Sequence, residues 1–117
     1  MTDHDDAFGD DDEAAEEFDR LTHALFEHVS HFADEEDVPD ELLSQLLFRV
    51  SLTTRMMAYG TSVAKPSGGG LKLDLDRFRR ETDDLIRLAK KEADHTVAEM
   101  REAIEAAAEE VEDKDET

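Results

Sequence analysis

The sequence predicts an all-α fold, and three observations carry that prediction. Apolar residues recur at three-four spacing in three separate stretches. Two breaker segments, DEEDVPDE around Pro39 and KPSGGG at 65–70, fall between those stretches. Only one short run, Leu71-Lys72-Leu73-Asp74-Leu75, alternates with period two. The expected architecture is three helices, the third very long, with a Gly-rich connector, closed as a homodimeric helical bundle.

The first twelve residues hold six acids, one Gly and almost nothing to bury, so 1–12 is expected to be a disordered acidic arm. A calcium-loop reading of this run starting at Asp3 fails, because Phe8 stands where the loop needs Gly. The first helix is predicted from about Asp12 to Ala33, with Phe18, Leu21, Leu25, Val29 and Phe32 as one buried stripe. Pro39 suits the first turn of the next helix.

The second helix is predicted over 39–59 and is apolar nearly all round. Leu42, Leu43, Leu46, Leu47, Val50 and Met57 define one face; Phe48, Leu52, Met56 and Tyr59 cover much of the other. Such a helix is either the centre of a fold or an interface. Gly60 is the expected C-cap. Between 61 and 75 the Gly-rich turn and the alternating Leu run also admit a short β-hairpin, marginal in isolation.

The third helix is predicted over 74–111, with Phe78, Leu85, Ala89, Ala93, Val97 (or Thr96), Met100, Ile104, Ala107 and Val111 as its stripe. At 1.5 Å per residue it would be ~57 Å long, about twice the length of a small domain. Two shorter helices cannot cover it in a monomer. Its near-heptad spacing, with Ala at several seam positions, therefore points to a helical partner. The expected organisation is one helical domain over 13–111, followed by a disordered acidic tail at 112–117.

Charge is unevenly placed along this framework. The chain has 33 acidic against 13 Lys and Arg residues, a formal net charge of −20. Residues 49–91 nevertheless hold ten basic residues against five acids, a local +5. The flanks are −16 over 1–48 and −9 over 92–117. Acids spread over every predicted helix, with only five Lys beside eight Arg, keep a surface hydrated in molar salt. The composition resembles that of proteins from salt-accumulating archaea.

Several chemistries lack their residues. There is no Cys, hence no disulfide, thiolate site or Cys nucleophile. No apolar run approaches the ~20 residues of a membrane span, and the N-terminus is acidic, unlike a signal peptide. A cytoplasmic location is the expectation. His28 and His31 lie one turn apart, but zinc needs three or four convergent ligands, and no metal motif appears. Ser67-Gly68-Gly69-Gly70 with Lys72 lacks the Gly-Lys-Ser/Thr of a phosphate loop. No nucleophile elbow surrounds any Ser. No catalytic residue, cofactor or metal is therefore assigned.

Two surfaces remain as candidates. An oligomer interface would use Leu42, Leu46, Phe48, Leu52, Met56, Tyr59, Val97, Met100 and Ile104. An anion or nucleic-acid surface would use Arg55, Lys65, Lys72, Arg77, Arg79, Arg80 and Arg87, although these cations can equally pair with the chain's own acids. The expected function is that of a non-catalytic helical protein acting through homodimerisation and contact with other proteins. Binding of nucleic acid or phosphate by the basic window is the alternative.

Overall fold

A computed structural model describes the backbone from residue 2 to residue 116 and side chains from residue 11 to residue 112. Among the described residues there are four helices and no strand: α1 (Thr2–Glu35), α2 (Asp40–Ser62), α3 (Gly68–Lys91) and α4 (Ala93–Glu116). The all-α prediction holds; the three-helix count is corrected to four. The arm at 1–12 and the tail at 112–117 lie almost wholly outside the residues whose side chains are described. The chain divides into two compact units, Met1–Thr53 and Thr54–Thr117, so the unbroken helix α2 contributes its first half to one and its second half to the other.

In the first unit α1 ends in a Schellman motif. Asp37 adopts a left-handed conformation (φ 53°), the Val38 N–H reaches back to the Ala33 carbonyl (2.9 Å), and the Asp37 N–H to that of Asp34 (3.4 Å). Val38 thereby folds over Ala33, which at 8% exposure is the buried apolar residue of the described chain. Pro39 sits one residue before α2, and its carbonyl accepts the Leu43 N–H (2.9 Å). Asp40 and Glu41 then place negative charge on the positive end of the α2 dipole.

Three further expectations are corrected in the second unit. Gly60 does not cap α2, which runs two residues further with Gly60 at negative φ. The Thr61 and Ser62 hydroxyls bond back to the carbonyls of Ala58 (3.2 Å) and Tyr59 (3.0 Å), supplying partners near that helix end. The hairpin at 61–75 is absent, because Ser67 caps a helix that begins within the Gly run. Its hydroxyl accepts the Gly70 N–H (3.0 Å) and its carbonyl the Leu71 N–H (2.9 Å). Helical spacing then puts Leu71, Asp74, Leu75 and Phe78 on one half-buried face, which a strand would split between two.

The long helix over 74–111 is the third correction. It is two helices, interrupted at Glu92, whose backbone leaves helical values (φ −99°, ψ 8°). The Glu92 N–H is shared between the carbonyls of Leu88 (3.3 Å) and Ala89 (3.2 Å), and its own carbonyl accepts the Thr96 N–H (2.9 Å). One residue thus ends α3 and opens α4. Neither Gly nor Pro marks the place.

Candidate functional site: apolar helix faces and a basic helix

Helix α2 presents apolar side chains in both units, and each unit is described by itself. In the first unit, Leu43 and Leu47 of α2 line an open hollow together with Phe26, Ser30 and Ala33 of α1. Beside that hollow an open apolar groove is lined by Val29 and Phe32 of α1 and Leu43, Leu46, Leu47 and Val50 of α2, with His28 at its edge. It continues along α1 past Leu25 and Leu21 to Phe18. Exposure along it is high: Phe18 71%, Leu25 65%, Val50 58% and Phe32 49%. The first helix therefore has its predicted stripe, but α2 covers only one edge of it.

In the second unit α2 meets α3 through polar and aromatic contacts. Arg55 is the centre. Its guanidinium grips Asp74 through Nε (3.0 Å) and Nη2 (3.1 Å), bonds Glu81 through Nη1 (2.8 Å), and lies 5.4 Å from the Phe78 ring centroid. These hydrogen bonds hold the Asp74 carboxyl below its ordinary range and the Arg55 guanidinium above its own. One turn on, the Tyr59 hydroxyl accepts the Ser67 N–H (3.2 Å) and donates to the Ser67 carbonyl (3.4 Å). It occupies the space that a β-carbon on residue 70 would need, so a side chain there would have to displace the end of the Tyr59 ring.

Every described residue of α4 is exposed. Its apolar positions follow an uninterrupted four-three register: Ala93, Val97, Met100, Ile104, Ala107, Val111. Alternate members, Val97, Ile104 and Val111, are β-branched, as favoured at the first seam position of two-stranded coiled coils. The acids Glu99, Glu102, Glu105 and Glu109 stand off that seam.

The proposed interface residues are thus in three situations. Leu42, Leu46 and Phe48 are exposed on the first half of α2; Leu52, Met56 and Tyr59 are half-buried; and Val97, Met100 and Ile104 are exposed on α4. The α1 side chains Phe18, Leu21, Leu25 and Phe32 were assigned to a core and not to an interface. The adjacent pair Leu25-Phe26 was the available signal, because it widens the apolar stripe beyond what one neighbouring helix covers.

The basic candidates also divide. Arg55 is engaged within the chain as described, and Arg87 pairs with Asp84 (3.4 Å). Lys65 lies exposed before α3; Lys72, Arg77, Arg79 and Arg80 are exposed on it. Arg77 is near enough to Asp74 to help hold that carboxyl ionised. Arg79 and Arg80 make no ion pair among the described residues. Together with Leu73, Asp76, Arg77 and Asp83 they form a shallow concavity along α3.

Of the histidines, His31 contacts Glu35 and His95 contacts Glu99, each at 2.9 Å within its own helix. Among the described residues no three metal-binding side chains converge. No described helix is long and apolar enough to cross a membrane. No protein-family model matches this chain, and it has no match among curated proteins or solved structures.

Proposed function

We propose that this chain is a non-catalytic association protein of a salt-rich cytoplasm, acting through homodimerisation and contact with other helical proteins. One observation carries the reading. Among the described residues Ala33 is the buried apolar side chain, whereas twenty large apolar side chains are exposed, Phe18 and Ile104 among them. Full burial of one Leu or Phe side chain is worth about 1.5–3 kcal/mol. A chain that leaves so many open has most of its hydrophobic stabilisation still to gain from a partner. The four-three register of α4 supports a helical one.

The high charge sets the conditions for association. At −20 per copy, two chains repel each other in dilute buffer, and at 1 M salt the screening length shrinks to ~3 Å. Association then depends on apolar contact, which salts that strengthen burial promote.

A second reading, polyanion binding along α3, is favoured by the exposure of Arg79 and Arg80, which have no ion-pair partner among the described residues. Molar salt works against it, because phosphate contacts lose the gain from counterion release. Size-exclusion chromatography with light scattering in molar KCl, recorded at two ultraviolet wavelengths, tests both readings. With one Tyr and no Trp, the protein absorbs so little that bound nucleic acid would dominate the spectrum. A mass twice the chain's 13.2 kDa with a protein-only spectrum supports association. Co-eluting nucleic acid, lost on replacing Arg77, Arg79 and Arg80 by Gln, supports the second reading. A compact monomer without nucleic acid defeats both.

A further inference from the structure

We infer that the open face of the α1–α2 hairpin is the dimer interface, covered by the same face of a second copy to complete a four-helix bundle. This inference rests on the association reading above and adds the surface and its occupant.

The face is one layer of a two-layer core. Two helices joined by the short Schellman turn present Phe18, Leu21, Leu25 and Phe32 from α1 beside Leu46 and Val50 from α2. A two-helix apolar layer is matched in width by another two-helix layer, which a second copy supplies. The area agrees. These side chains and Leu47 leave roughly 650 Å² open, close to the ~800 Å² per partner of a standard stable interface.

Charge placement agrees as well. The α1 acids Glu13, Glu16, Glu27 and Asp34 fall on the side of the helix away from the stripe, so facing copies need not bury them. The edge of the groove carries His28. Glu17 and Glu35 flank the stripe, so self-pairing brings carboxylates to the rim of the face, and with the net −16 of residues 1–48 this makes it dependent on salt.

The test uses the absence of Cys. Leu25 lies midway along the face, and Glu27 lies on the opposite side of α1 at nearly the same height. Full-length Leu25→Cys and Glu27→Cys chains are treated in molar KCl with a bismaleimide spanning about 8–10 Å, the distance between packed helix axes. The inference expects covalent dimer from Leu25→Cys, at least tenfold above the Glu27→Cys yield. It also expects Leu25→Glu to elute as a monomer with wild-type helicity, since residue 25 is already 65% exposed in the single chain.

Failure of this inference and failure of the association reading are distinguishable. A wild-type dimer that crosslinks no better through residue 25 than through residue 27 overturns this face and leaves association standing. A wild-type monomer overturns both, and a monomer with residue 25 shielded from maleimide assigns the covering layer to the same chain.

Discussion

The two hairpins of this chain are built from different kinds of contact. Where α2 meets α3, register is fixed by directional bonds: the Arg55 fork onto Asp74, its third bond to Glu81, and the Tyr59 hydroxyl over Gly70. Where α1 meets α2, the turn is closed by backbone bonds, and the side-chain contact is apolar and incomplete. The first arrangement specifies one geometry within the chain. The second leaves a surface whose stabilisation is still available to a partner. Directional bonds thus gather at the C-terminal half of α2 and uncovered apolar side chains at its N-terminal half.

The sharpest way to break this contrast is Arg55→Ala. It strands Asp74, half-buried on α3, and removes the bonds that set the α2–α3 register. The largest drop in melting temperature among the substitutions considered is expected, measured by circular dichroism in molar KCl. A loss no greater than that from Arg87→Ala, whose pair with Asp84 is solvent-exposed, would show that Arg55 does not organise the hairpin.

The same pair gives the α2–α3 hairpin a pH signature. Asp74 is held below its ordinary value of 3.8, so the folded state favours its ionised form. Its contribution is complete above that value and is lost as pH falls through the lowered one. The stability difference between wild type and Asp74→Asn should therefore be largest near neutrality and shrink in acid. A difference that grows on acidification contradicts this assignment.

Two glycines sharpen the comparison with opposite signs. A β-carbon at residue 70 would displace the Tyr59 hydroxyl and lie 3.1 Å from the Ser67 Oγ, so Gly70→Ala should cost about 0.5–1.5 kcal/mol through the lost Tyr59–Ser67 hydrogen bonds. Nothing stands within 4 Å of a β-carbon at residue 60, so Gly60→Ala should stabilise α2 by about 1 kcal/mol. Equal effects at both positions would remove the Tyr59 contact from the account. The smallest change expected is at Asp37. Its left-handed backbone makes Asp37→Gly stabilising by up to about 1 kcal/mol, read as a rise in denaturation midpoint.

The sequence made the helices legible wherever an apolar period ran between visible breakers. The α2 prediction of 39–59 lies close to Asp40–Ser62. Positions where local chemistry admits two outcomes were harder. Ser67 before three glycines reads as a flexible turn, yet its hydroxyl makes it a helix cap, and Asp74 opposite Arg55 rewards the helical choice. The break at Glu92 has no local marker, since Lys-Lys-Glu-Ala is compatible with continuous helix. Periodicity identified the α1 stripe but not its coverage, which depends on how many helices stand against it.

The central claim is that the chain completes its core on another copy, and the most direct test is its melting temperature as a function of concentration. In molar KCl, raising the full-length chain from micromolar to millimolar should raise the melting temperature steadily, because association stabilises the folded state by mass action. The transition of the Leu25→Glu chain should remain fixed over the same range. A wild-type melting temperature independent of concentration, in a chain that elutes as a compact monomer, would contradict the account.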